Sequence, residues 1–188
     1  MLTKKQLNQV NSVFGVYIKD GLYSLAQSRK NHWMEFFNIF SDKDEWDGVD
    51  LNKVNILFTY CVASDRLKKL LVSLQNEHVK INIRPQQSRV IAITDILAGT
   101  RGLVKMDDRY TSVDQEVLIP QLTVKDNLDI IHTKELAGMH GNAERIQNRL
   151  LKFYETGVNW DESKKFLFPD VTPPAPTQKP LTKEDYLH

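Results

Sequence analysis

The 188-residue sequence has little that would cross-link it, anchor it in a bilayer or charge it as a whole. Its single cysteine, Cys61, cannot form an internal disulfide bond. No apolar run reaches membrane-spanning length, and the basic N-terminus lacks the apolar segment of a signal peptide behind it. Lys and Arg (25) nearly balance Asp and Glu (24), so no general field attracts phosphate backbones or anionic membranes. These absences predict a cytoplasmic protein that binds neither nucleic acid nor membranes.

Residue patterns that would mark a reaction centre are missing as well. The sequence has no Gly-x-Ser-x-Gly motif, and Cys61 lies within the apolar run 56–62, which predicts a buried and inert thiol. His132 and His140 stand eight residues apart, which is none of the usual metal-ligand spacings. We therefore expect no enzyme activity, no cofactor and no metal.

Hydrophobic patterns predict four strands ahead of any long helix. The turn dipeptide Asp20-Gly21 separates two apolar segments, as in a β-hairpin, because Asp and Gly tolerate the backbone of a tight turn. The four predicted strands cover residues 13–18, 22–27, 32–40 and 54–63. Short connections between them favour an antiparallel sheet that curls into a small barrel or half-barrel.

Two amphipathic helices are predicted to pack on this sheet. Leucines recur at helical spacing in residues 64–75, behind Ser64 as a possible cap. Residues 142–156 form the second helix, with Asn142 at its start and Gly157 at its end. Further strands are expected at 81–84, 88–96, 117–119 and 128–131. The prediction is a single α+β domain over residues 1–168.

A composition change marks the end of the chain. Five of the seven prolines lie between Pro169 and Pro180, so residues 169–188 are predicted to form an extended, Pro-rich C-terminal tail. The aromatic residues Trp160, Phe166 and Phe168 precede it, and we expect them to fasten the tail to the domain.

An acidic loop after the third strand is the candidate binding site. Its members are five carboxylates and one aromatic residue: Asp42, Asp44, Glu45, Trp46, Asp47 and Asp50. The segment fits a calcium-binding loop poorly, because Trp46 occupies the fifth position and no Glu stands at the twelfth. A plain solvated loop explains the charge but not Trp46, whose large ring should either dock onto the domain or anchor a partner.

The order of these features resembles a known family. The segments that carry the resemblance are Val13-Phe14-Gly15-Val16-Tyr17-Ile18, the hairpin from Asp20 to Gln27, Phe37-Asn38-Ile39-Phe40-Ser41, Leu57-Phe58-Thr59-Tyr60-Cys61-Val62 and the late segment from Thr133 to His140. Together they are similar to the immunity protein 26 family of bacterial polymorphic-toxin systems. The resemblance implies a small β-rich protein that binds and neutralises a cognate toxin used in interbacterial competition. It implies no catalytic residues.

Two other classes of protein remain compatible with the sequence. A non-catalytic adaptor or chaperone in a secretion or phage assembly would also be charge-balanced and rich in β-structure. A small enzyme on an unfamiliar scaffold would require a concave pocket with perturbed titratable groups.

Overall fold

The structure, a computed structural model, describes residues 2–106 and 116–187. These residues form two compact units, each with its own set of strands. The first unit comprises the described residues of segments 1–85, 139–159 and 176–188. The second comprises those of segments 86–138 and 160–175.

The strands and helices follow one another along the chain in an order dominated by β-structure. The strands are β1 Val13–Lys19, β2 Leu22–Ser28, β3 Trp33–Ser41, β4 Val49–Asp50, β5 Ile56–Val62, β6 Leu71–Leu74, β7 Val79–Lys80, β8 Arg89–Asp95, β9 Thr100–Lys105, β10 Glu116–Ile119 and β11 Met139–His140. The α-helices are α1 Lys4–Leu7, α2 Val124–Thr133, α3 Ala143–Thr156 and α4 Lys164–Leu167. None of these helices is long and apolar enough to cross a membrane.

The first unit is built on a curled, mixed sheet of six strands in the order β11-β5-β3-β2-β1-β6, which forms a half-barrel. Apolar residues occupy consecutive positions in these strands, as in β3. Because successive side chains of a strand point to opposite faces, both faces of the sheet carry apolar residues. On one face Phe14, Met34 and Phe36 belong to a core that also contains Ile146, Leu150 and Phe153 of α3. On the other face, alternate residues of the same strands pack with Trp46 and the loops around β4.

The β1–β2 hairpin and helix α3 confirm the predictions made from local sequence signals. Gly21 adopts a positive φ of 68° in the turn between β1 and β2. The side chain of Asn142 accepts a hydrogen bond from Arg145 N, and Gly157 ends α3 in the left-handed conformation. The α+β class is therefore correct, and so are the predicted strands at 32–40 and 54–63.

The helix predicted over residues 64–75 is wrong. Ser64–Leu67 form one 3-10 turn, and Leu71–Leu74 form β6, which pairs with the edge of β1. Leu67, Leu70 and Leu71 are still buried in the same core, because the curled sheet accommodates them without a helix. Pairing with β1 satisfies the backbone of this segment and overrides its helical spacing.

The sheet is not purely antiparallel, because β11 pairs in parallel with β5. Residues 81–84 are not a strand: Asn82 N donates to Gln27 Oε1 and Ile83 N donates to Asn52 Oδ1, so side chains replace a backbone ladder.

The prediction that Cys61 is buried is also corrected. Cys61 is only half-buried, with its Sγ 3.9 Å from Asn31 O. Its partial burial raises the pKa of the thiol.

The second unit contains an antiparallel three-stranded sheet in the order β10-β9-β8. Its β8 confirms the strand predicted at 88–96, and β10 confirms the one predicted at 117–119. Residues 128–131, predicted as a strand, lie inside helix α2. The side chain of Thr123 accepts a hydrogen bond from Asp126 N and caps that helix.

The Pro-rich segment is divided between the two units rather than projecting as one tail. In the second unit Val171 is buried, as are Trp160 and Phe168, whereas Phe166 is exposed. In the first unit Phe40 N donates to Leu181 O at 2.9 Å, and Lys183 N donates to Phe40 O at 2.8 Å. Residues 181–183 therefore pair with the end of β3 beyond the stretch that β5 covers.

Candidate functional site

The acidic loop connects β3 to β4 in the first unit and folds over one face of the sheet. Trp46 is 0% exposed and packs in the core that includes Val13, Phe37 and Ile39. Of the two roles considered for this ring, docking onto the domain is therefore the one observed. The expectation that Trp46 anchors a partner from the surface is corrected, because no part of its ring is available there.

Asp44 fastens the loop to the sheet. Its Oδ1 accepts hydrogen bonds from Trp46 Nε1 at 2.8 Å and from Gln75 Nε2 at 3.1 Å. The carboxylate lies directly above the backbone of Gly15, in the middle of β1: a Cβ on Gly15 would be 2.0 Å from Asp44 Oδ1. A glycine inside a strand thus permits the close approach of a second segment.

Asp47 and Asp50 are each paired with residues near β7. His78 Nδ1 lies 2.7 Å from Asp47 Oδ1, and this hydrogen bond holds the pKa of Asp47 below its usual value. Asp50 Oδ1 accepts from the backbone and side chain of Asn52, and Asp50 Oδ2 accepts from Lys80 Nζ. Burial raises the pKa of Asp50, but these hydrogen bonds outweigh it and the net pKa is lowered.

Within the acidic loop, Asp42 and Glu45 are exposed, and the described residues provide no ion pair for either of them. The backbone of Glu45 is held nevertheless, because Lys183 Nζ donates to Glu45 O at 2.8 Å. Asp47 is also exposed, although His78 contacts it. The loop therefore presents the carboxylates of Asp42, Glu45 and Asp47 to solvent, while Asp44 and Trp46 fix it to the sheet.

An open cavity of about 320 Å³ adjoins the loop at Asp42. Its wall includes Phe40, Tyr154 and Glu184, and it has the open form of a surface groove. Among residues 2–106 and 116–187, no three His, Cys, Asp or Glu side chains stand close enough to hold a metal ion. The arrangement is suited to charged contacts with another molecule across its surface.

Three residues that support the loop were not identified from the sequence: Gly15, Gln75 and His78 lie in or beside distant strands. Only Gly15 left a signal, since a glycine inside a predicted strand often marks a close approach of backbone or ligand. The positions of Gln75 and His78 depend on β6 and β7, which pair with segments far away in the sequence.

One family of proteins matches nearly the whole chain. The family described as "Domain of unknown function (DUF8309)" matches residues 3–173. The chain belongs to this family. No curated protein and no solved structure matches it. The part shared with DUF8309 contains the acidic loop and the three-stranded sheet, whereas the 181–183 segment that pairs with β3 lies beyond it.

Proposed function

We propose that this chain is an immunity protein that binds and neutralises a cognate toxin used in interbacterial competition, and that it catalyses no reaction of its own. The observation that supports the proposal is the combination of a fixed loop and solvent-exposed carboxylates. Asp44 and Trp46 hold the loop on the sheet, while Asp42, Glu45 and Asp47 face solvent. Such a surface suits a protein that recognises another protein by charge.

A fixed acidic surface has two physical advantages in capturing a basic partner. Complementary charge accelerates encounter, and contacts held in place before binding lose little conformational entropy when the complex forms. The lowered pKa of Asp47 keeps its carboxylate ionised well below neutral pH. A basic toxin, such as one that must hold the phosphates of a nucleic acid, has the complementary chemistry.

The first test is the reading frame next to the gene, where the proposal expects a toxin domain. The second is binding of the full chain to that domain, followed by surface plasmon resonance at several salt concentrations. The variant Asp42→Asn/Glu45→Gln/Asp47→Asn should lower kon about tenfold and flatten its salt dependence. The matched control is the variant Asp65→Asn/Glu144→Gln/Glu155→Gln, which removes the same number of exposed negative charges elsewhere on the first unit.

The control variant should have a kon close to that of the wild type and the same salt dependence. Equal effects of the two triple variants would show that only net charge matters and would exclude the loop as the contact surface. Absence of a toxin domain beside the gene, together with recovery of a defined secretion or phage component, would favour the adaptor or chaperone function instead.

A further inference from the structure

The β8–β9 hairpin of the second unit ends in an exposed apolar turn. Ile96 is 85% exposed and Leu97 is 99% exposed, and Ile93, two residues before the end of β8, is 47% exposed. Turn positions are usually occupied by Gly, Pro, Asn, Asp or Ser, which suit the backbone and the solvent. Two adjacent large aliphatic side chains at a turn are therefore unexplained by folding, and clustered apolar exposure is typical of an interaction site.

The turn holds these side chains outward in an ordered conformation. Asp95 Oδ1 accepts hydrogen bonds from Leu97 N at 2.9 Å and from Ala98 N at 3.0 Å. Gly99 has a positive φ of 65°, and the guanidinium of Arg101 donates to its carbonyl oxygen. The turn is organised by its own polar groups, so a partner would meet it without a large ordering cost.

An open strand edge lies next to this turn. Ile91 N donates to Glu135 O and Ile91 O accepts from Ala137 N, so the backbone of Ile91 points away from β9. In an antiparallel ladder alternate residues point the same way, and Ile93 therefore directs its N–H and C=O to that open side. The covering segment departs at Gly138, whose φ is 130°. Within the described ranges, no residue continues the pairing at Ile93.

We propose that this edge and turn bind an extended segment of a partner protein, which adds a strand to β8 at Ile93 and covers Ile96 and Leu97 with apolar side chains. An outward N–H and C=O pair is complementary to another polypeptide backbone, a match that lipid does not provide. Asp95 adds an exposed carboxylate beside the turn, which disfavours an anionic membrane surface.

A second copy of the chain fits this surface less well than a separate segment. Antiparallel pairing of two β8 strands about Ile93 would bring each apolar turn toward residues 89–91 of the other copy. The edge at Ile91 is already paired with residues 135–137, so the turns would be left uncovered. The proposal concerns the second unit and does not rest on the immunity function or on the acidic loop.

The test uses the full chain as bait for a random-peptide library displayed on phage. Enriched peptides should carry alternating aliphatic residues, as a strand requires to place them on one face. Synthetic copies should bind wild type, lose about tenfold or more in affinity to Leu97→Asp, and bind the matched control Ile83→Asp normally. Ile83 is a suitable control because it is 76% exposed and lies in the first unit.

Backbone recognition has a separate readout. N-methylation of the peptide amide that faces β8 should weaken binding about tenfold, whereas methylation of the next amide should not, because alternate amides face away. The proposal would be overturned by a library without enrichment, by equal binding to Leu97→Asp, or by insensitivity to methylation at either amide. Self-association lost in Leu97→Asp would assign the surface to a second copy. Flotation with phosphatidylcholine and phosphatidylglycerol vesicles, lost in the same variant, would assign it to a membrane.

Discussion

The acidic loop of the first unit and the apolar turn of the second unit are both used differently from what their amino-acid compositions suggest. The loop is rich in charge, yet Asp44 and Trp46 are used to fix it to its own sheet. The turn contains ordinary aliphatic residues, yet Ile96 and Leu97 contact almost nothing. Availability of a side chain is decided by the segments that pack around it, so the composition of a segment alone does not identify a binding surface.

The largest expected difference in stability is between substitution of the buried Trp46 and substitution of the exposed Leu97. Trp46→Ala removes a fully buried ring and should lower the free energy of unfolding by about 3–5 kcal/mol. Leu97→Ala, the matched comparison, should change it by no more than about 0.5 kcal/mol, because the side chain is already in water. Urea denaturation followed by circular dichroism measures both. A stable Trp46→Ala protein would contradict the packing of the loop.

Gly15→Ala should be the next most disruptive change. Its Cβ would lie 2.0 Å from Asp44 Oδ1, so the loop must move off β1, at about 3 kcal/mol, the upper end for overpacking. In an Asp44→Ala background the same substitution should be less harmful, because the carboxylate is gone and, of the three nearest atoms, only Ser73 Oγ, 2.4 Å from the new Cβ, still has to move. Urea melts of the single and double variants give the coupling energy. Additive effects would mean that Asp44 does not rest on Gly15.

Local signals account for the parts of the fold that were predicted correctly. The β1–β2 hairpin depends on Asp20-Gly21, and α3 depends on Asn142 and Gly157, all within or next to the element they define. The helix predicted at 64–75 is wrong because β6 pairs with β1. In this pairing Leu71 lies opposite Val16, some 55 residues earlier in the chain. Distant pairing of this kind leaves no periodic signal in the segment itself.

The candidate site was predicted as a segment but not as an arrangement. The sequence located the carboxylates, and Trp46 could be expected either inside or outside. Trp46 lies inside because Gly15 leaves room for Asp44 on the sheet and Gln75 donates a hydrogen bond to Asp44. Both residues lie next to the loop only when β1 and β6 are paired. The apolar turn was missed because exposure of Ile96 and Leu97 depends on which segments cover β8.

Two carboxylates of the loop should differ in their contributions to stability. Asp44→Ala leaves the buried Trp46 Nε1 without its acceptor and should lower the free energy of unfolding by about 1–2 kcal/mol. Asp42→Ala removes an exposed carboxylate and should change it by less than about 0.5 kcal/mol. Thermal or urea melts at one pH compare them. Equal losses would mean that the loop is held in another way.

The smallest expected effect concerns the titration of Asp47. The hydrogen bond with His78 holds its pKa below the usual value, so His78→Ala should raise that pKa toward the value of an ordinary aspartate. A carboxyl whose folded pKa is depressed stabilises the fold above its unfolded pKa, and this contribution is lost as the pH falls through the folded pKa. NMR titration of the side-chain carboxyl carbon measures the shift directly. Lys80→Ala is the control, since Lys80 pairs with Asp50 and its loss should leave Asp47 unchanged. An unchanged Asp47 pKa in His78→Ala would show that His78 does not hold this carboxylate and would remove one support of the fixed acidic surface.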